Sequence, residues 1–438
     1  MKRFLVPLFL LGFLLSSPSA RAAKIFINIT QASNQSFPIA LPPPVRDGGD
    51  SDASELGQLF TSTIQQDLEL MSIFRFIDPK SFLEDPKKKA FREGEIDFAN
   101  WAVLDAFALA KGWYQVRGTK VTIEMHLFDV LAKKELVAKK YDTTSDSVPA
   151  AAHKFANQIM LALTGEAGLF ESRIAFVGDK GGSKELYAMD FNGANQRRLT
   201  NLNSIVLSPN WAEDGRGIFF TAFPRRGSSQ LYMYDFRTGS ATRKTNLPGM
   251  VIGLKLDPIS RSMVTTLSKE GNSDIYFLNP DGTIQKRLTT DPDIDVSPSF
   301  SPDGQQIVFV SSRDGSAQIY KMARAGSQVK RLTFKGNNNT SPAWSPRGDK
   351  VLFAGMDTDG HFDIFSMNTD GGGMVRLTYD SRNNEEPAWS PDGQMIAFSS
   401  NRAGAYQLYI MRPDGSHQAQ LTHDLFKHTM PAWSPKEK

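Results

Sequence analysis

From residue 171 onward, short apolar runs alternate with polar turns, and the alternation itself repeats. A Leu-Thr pair or its remnant returns at Leu199-Thr200, Lys244-Thr245, Leu288-Thr289, Leu332-Thr333, Leu377-Thr378 and Leu421-Thr422, at steps of 44 or 45 residues. An aromatic keeps the same register (Tyr187, Tyr232, Tyr276, Tyr320, Phe365, Tyr409). So does a bulky residue ahead of a Ser-Pro-Asp-Gly-like turn (Trp211, Leu256, Phe300, Trp344, Trp389, Trp433). Within one unit, residues 387–390 predict a first strand. Pro391-Asp392-Gly393 predicts a tight turn, because Pro presets φ and Gly accepts a positive one. Residues 396–400, 407–411 and 418–422 predict three further strands. Four short antiparallel strands every 44 residues or so make the blade of a β-propeller. Six such units need about 266 residues, and residues 171–438 supply 268. The chain ends on a first strand with no blade behind it, and residue 173 begins at a second strand. The C-terminal strand is therefore expected to lie beside Ile174 and close the ring without an open edge. The third copy lacks both its Trp and its turn Gly (Leu256-Asp257-Pro258-Ile259-Ser260) and is expected to be less regular. The aromatic series reads as wedges between blades.

The first half mixes periods. Residues 24–29, 37–41 and 74–77 read as strands. Leu56, Leu59, Phe60, Ile64, Leu68 and Met71 form an apolar stripe at helical spacing, with Asp52 as its expected cap. Residues 99–109 predict a helix, 113–117, 121–130 and 136–141 an antiparallel set, and 148–163 a closing helix stopped by Gly165. The fold class is thus a two-domain chain, a mixed α/β domain followed by a six-bladed all-β propeller. The expected boundaries are 1–22 for a signal peptide, 23–166 for the α/β domain and 171–438 for the propeller.

Composition narrows the setting. Lys2 and Arg3 precede an apolar run at 4–15, and Ala20-Arg21-Ala22 has the form of a cleavage site. The run is shorter than the roughly 20 residues of a membrane-crossing helix. An exported, periplasmic, soluble chain is expected, with no membrane span after cleavage. Cysteine is absent, which excludes disulfides, thiolate metal sites and thiol nucleophiles. Lys2, Arg3 and Arg21 account for the net charge of +3; beyond them 47 basic residues face 47 acidic ones, so no nucleic-acid surface is expected. No Gly-x-Ser-x-Gly elbow, phosphate loop or His-Glu-x-x-His is present, and the six histidines are not at metal-ligand spacing. No cofactor or metal is expected.

Function is then expected where segments cross from one unit to the next, at one mouth of the central channel. These segments hold Met250, Val251 and Ile252; Asp293, Asp295 and Val296; Asn338, Asn339 and Thr340; Asn384, Glu385 and Glu386; and His428 and Thr429. Turns bearing Arg313 and Arg402 are expected at the same face. A rigid ring with variable loops suits recognition, and the apolar Met-Val-Ile tip is not explained by turn chemistry.

Together with Phe37-Pro38-Ile39-Ala40, Phe98-Ala99-Asn100-Trp101 and Leu163-Thr164-Gly165-Glu166, this order of parts resembles the TolB family of the Tol–Pal envelope system. The resemblance implies a non-enzymatic, monomeric periplasmic adaptor that supports outer-membrane integrity and constriction at division. It implies binding of the outer-membrane lipoprotein Pal, and of other envelope lipoproteins, at the channel mouth. It further implies binding of TolA by the mature N-terminal segment Ala23, Lys24, Ile25, Phe26, Ile27, Asn28, Ile29 and Thr30. Met250 departs from the polar histidine that the best-known members carry there. The alternative is a secreted propeller enzyme, a lyase or peptidase-like hydrolase, built on His428, Glu385, Glu386 and Arg402.

Overall fold

The computed structural model describes residues 36–436 apart from 48–53, 86–87, 225–226, 357 and 380–381. The expected signal peptide, the strand read at 24–29, the segment 23–30 and the cap Asp52 lie outside the described residues.

The N-terminal part is a sheet covered by two helices. Strands β1 (Phe37–Ala40), β2 (Val45–Arg46), β3 (Phe74–Phe76), β4 (Ala108–Arg117), β5 (Lys120–Asp129) and β6 (Lys134–Thr144) form the order β3-β1-β4-β5-β6, with β2 also on β4. Helix α1 (Ser54–Met71) buries Phe60, Ile64 and Leu68, the stripe expected from its spacing, against Phe155, Ile159 and neighbours of α3 (Val148–Thr164). Gly165, at φ 82°, stops α3 and donates its N–H to Leu161 O at 3.0 Å.

The helix expected at 99–109 is a correction. Helix α2 (Phe98–Ala102) is a single turn capped by Asp97, and Asp105 takes φ 59°. Ala108, Leu109 and Ala110 then enter β4, pairing in parallel with β1 (Ile39 beside Ala108) and antiparallel with β5. All three are buried. Alanine-rich helical propensity is overridden because a central strand buries both faces.

The ring has six four-stranded sheets. Blade I joins β7 (Arg173–Asp179), β8 (Lys184–Asp190) and β9 (Arg197–Arg198) to the C-terminal strand Lys427–Trp433. Ile174 pairs with Trp433, the closure expected from the phase of the repeat. The inner strands of blades II to VI are Val206–Trp211, Val251–Leu256, Asp295–Phe300, Asn339–Trp344 and Asn384–Trp389. Each begins about three residues earlier than the sequence suggests. The tryptophans act as wedges: Trp211, Trp389 and Trp433 each donate an indole N–H to the inner strand of the preceding blade (Ala432, Ala343 and Ala388 O, 2.9–3.2 Å).

Blade III is complete, with the irregularity expected of it confined to its outer pair of strands. Its first turn survives without Gly: Asp257 N–H reaches Ser262 O, as Ser301 N–H reaches Gln306 O in blade IV. Buried Asp257 also receives both terminal nitrogens of Arg324, whose guanidinium lies 4.8 Å over the Phe277 ring and 5.8 Å from that of Phe300. An ion pair under an aromatic pair thus fills the space between blades III and IV. The irregularity that remains is a register shift at Phe277/Leu278.

The two parts share one apolar core, in which Phe170, Ile174, Phe191 and Trp433 adjoin the side chains of α1 and α3. Asp67 of α1 holds His153 Nδ1 of α3 at 2.6 Å and accepts from Asn192 of the ring at 3.1 Å. His153 Nε2 lies 3.8 Å from Asp190 of the ring.

Candidate functional site: the channel mouth

The repeated threonine is a latch. Its hydroxyl accepts the N–H of a third-strand residue in every blade (Leu186, Leu231, Ile275, Ile319, Ile364, Leu408; 2.9–3.0 Å). In blades I to V it also donates to the buried side chain one residue earlier: Glu185, Gln230, Asp274, Gln318 and Asp363. The position alternates acid and amide around the ring, ending at Gln407. In the acidic blades an arginine two residues before the threonine completes an ion pair (Arg198–Glu185, Arg287–Asp274, Arg376–Asp363). Buried charges with partners on two sides are retained because removing one partner would leave the other uncompensated. The latch fixes the end of the third strand, and so the floor on which the mouth stands.

Each inner strand carries one extra residue with left-handed backbone: Ser208, Gly253, Ser297, Ser341, Glu386 and Met430, φ 52–67°. The freed N–H points sideways. Gly253 N–H reaches Thr221 and Ser297 N–H reaches Thr266, both in the preceding blade, and Met430 N–H reaches Glu386 at 2.6 Å. The bulges therefore stitch neighbouring blades around the lumen. Burial raises the Glu386 carboxyl above the ordinary range, against the Ser399 hydroxyl and Met430 N–H that favour its charge. The residue as a whole is nevertheless only partly buried.

The sequence-read site residues separate on this frame. Val251, Asp295, Asn339, Asn384 and His428 are strand residues and not loop residues. They occupy the same register at the head of the inner strands, and all are buried. Asp295 is gripped by Arg313 (3.1 Å to both oxygens), and Asn384 joins Asp363 (3.0 Å) to Arg402 (2.7 Å). Asn339 reaches Gln318 (2.8 Å), and His428 Nε2 meets Asp424 (2.7 Å). The turns of Arg313 and Arg402 thus lie at this mouth, but their guanidinium groups serve as internal clamps. Short polar residues at a turn-like position read as surface; here the strand reaches up and buries them.

The neighbours on either side form the accessible mouth. One residue before the head stand Ile205, Met250 and Ile294 in blades II to IV, then Asn338, Asn383 and Lys427 in blades V, VI and I. One residue after it stand Leu207, Ile252 and Val296, then Thr340, Glu385 and Thr429. Two successive rings split along one line, three apolar blades facing three polar ones. Ile205, Met250 and Ile294 are 47%, 43% and 52% exposed, well above a core residue. Their backbones are pinned: Met250 and Ile294 N–H donate to Ser268 (2.9 Å) and Ser312 (3.1 Å), whose own N–H groups return to Met250 and Ile294 O. Asp293 is exposed beside Ile294. Sequence reading found the blade III tip and missed Ile205 and Leu207. Aligning the copies by their threonines and reading down one column would have exposed the split.

The residues of the enzymatic alternative are each committed to a different partner. Glu385 holds the Tyr406 hydroxyl, Glu386 holds Ser399 and Met430, Arg402 holds Asn384 and Gln418, and His428 holds Asp424. Among the described residues no group of His, Asp or Glu is arranged to hold a metal ion.

Comparisons with known proteins follow the same architecture. Residues 161–437 match the family model described as TolB beta propeller domain, and residues 25–136 that described as TolB amino-terminal domain. The Tol-Pal system protein TolB of Syntrophotalea carbinolica is 41% identical over 152 residues, 35% of each chain. That of Desulfosudis oleivorans is 36% identical over 217 residues, 49% of this chain and 50% of the relative. The chain thus spans between a third and a half of the length of these curated relatives. The crystal structure of TolB from Acinetobacter baumannii superposes with a TM-score of 0.79 at 25% identity, covering 93% of this chain and 98% of that one. Kuenenia stuttgartiensis hydrazine synthase shares the fold alone, at 14% identity and a TM-score of 0.52 over 62% of this chain.

Proposed function

The chain belongs to the TolB family, and from that premise we propose that it is a non-enzymatic periplasmic adaptor of the Tol–Pal system. On this reading it docks the lipoprotein Pal at the channel mouth and engages TolA through residues 23–30. The observation that carries the docking site is the rigid, half-apolar rim of Ile205, Met250, Ile252 and Ile294, whose backbones need no ordering on association. Internal commitment of every polar group in the enzymatic alternative supports recognition over catalysis. The rim residues Asn338, Thr340, Glu385 and Thr429 would form the polar side of the contact, and buried Asp295, Asn339, Asn384 and His428 would support it from beneath.

The TolA contact rests on the alternating Ile25, Ile27 and Ile29, which suit an extended strand added to a partner's sheet edge. Two titrations test the reading. The mature protein should bind the soluble domain of Pal, and a chain lacking residues 23–30 should keep that binding while losing TolA. Retained TolA binding by the shortened chain would refute the segment's role. Absence of Pal binding by the intact chain would refute the adaptor.

A further inference from the structure

The polar half of the mouth is not uniform where it meets the apolar half. Lys427, Asp179 and Lys184 stand side by side across three paired strand ends of blade I, and Lys180 follows at the turn. Lys184 is bridged directly to Ile205 of blade II, its N–H donating to Ser204 O at 2.9 Å. Three lysines, with Asp179 between Lys427 and Lys184, therefore lead into the apolar arc of Ile205, Met250 and Ile294. Among the described residues, none of the three lysines has a carboxylate within ion-pair distance. Nearby Asp424 is taken by His428 and by the Phe426 N–H, and Asp179 accepts from Gly181. Lys180 lies 4.7 Å over the Phe426 ring, which holds its ammonium at the rim.

We infer that this strip reads a protein segment with an apolar anchor flanked by carboxylates. The apolar residue settles on the arc of blades II to IV, and the acidic ones meet Lys180, Lys184 and Lys427 at its blade I end. Charge complementarity commits the occupant: three neighbouring lysines with no acid within ion-pair distance, set at one end of the apolar arc, are satisfied by an acidic partner, and they also speed its arrival. The inference rests on the docking reading above and specifies the chemistry of the partner's surface.

Binding of the soluble Pal domain to the full mature chain tests it, measured by calorimetry or interferometry from low to high salt. The variant K180E/K184E/K427E should raise Kd at least tenfold and flatten the salt dependence. Its neutral counterpart K180A/K184A/K427A should show a smaller loss in the same direction. Ile205→Asp should weaken binding comparably, and Lys335→Glu, in the segment crossing from blade IV to blade V, should not; unchanged melting curves would confirm folding. Wild-type binding with undiminished affinity in the lysine variants and in I205D would overturn the strip while leaving the adaptor intact. No wild-type binding would overturn the adaptor and the strip with it. Capture of phosphatidylglycerol vesicles that is lost in the lysine variants, with Pal binding unaffected, would also overturn it.

Discussion

Thr378 shows how much one side chain carries in this ring. Its hydroxyl accepts the Ile364 N–H and donates to Asp363, which is fully buried and also holds Arg376 and Asn384. Thr422 fills the same place in blade VI, where, among the described residues, its hydroxyl meets the Leu408 N–H alone. Thr378→Val should therefore cost more stability than Thr422→Val. About 1–3 kcal/mol is expected for stranding a buried donor and loosening a charged acceptor. Urea unfolding of the two variants compares them directly, and an equal cost would contradict the latch. The threonines were legible as a period and not as a latch. Their partners lie some fifteen residues upstream and vary among Glu, Gln and Asp, so no local motif joins them. Asp295 and Asn384 misread as surface for a related reason. Sequence shows a short polar residue near a turn, and only the fold shows the arginine already spoken for.

At the scale of elements, the contact between the helices and the ring turns on a buried His153 held between Asp67 and Asp190. Burial works against the charged imidazole, but Asp190, 3.8 Å from Nε2, and the hydrogen-bonded Asp67 outweigh it and raise its pKa to about 9. Burial pushes Asp67 up to about 6, opposed by His153 and Asn192. A histidine whose folded pKa lies above its unfolded one contributes stability that is complete below the unfolded value near 6.5 and is lost as pH climbs through the folded one. The unfolding midpoint should thus fall between pH 7 and 9.5, and His153→Gln should flatten that slope. A slope unchanged in the variant would assign the dependence to other groups. Elements with strong period, such as α1, α3 and the blade strands, were legible from sequence. The 99–109 segment was not, because an Ala-Leu-Ala-Lys stretch favours a helix until β1 and β5 claim it from both sides.

The whole molecule depends on its last strand. Residues 427–433 supply the inner strand of blade I and place Trp433 against Phe191 and the Ala388 carbonyl of blade VI. Truncation after residue 424 would leave β7 with an unpaired edge and open the apolar core shared with α1 and α3. Such a chain should elute as oligomers or aggregates in size-exclusion chromatography, whereas full-length protein should elute as a monomer. A monodisperse truncated species would show that closure is dispensable. This topology was legible because the phase of the repeat leaves a half-unit at each end. The division of the mouth into apolar and polar halves was not, since it emerges only when six distant segments are set around a circle.

The left-handed residue in every inner strand shifts the in-and-out alternation by one step. Side chains near the rim and the tryptophan wedges at the foot are consequently out of phase. Exchange of Ile205 or Met250 for another residue need not disturb Trp211 or its counterparts below. Recognition and assembly can then diverge separately within one short strand, so that a lineage can exchange its binding partner while its ring remains unaltered.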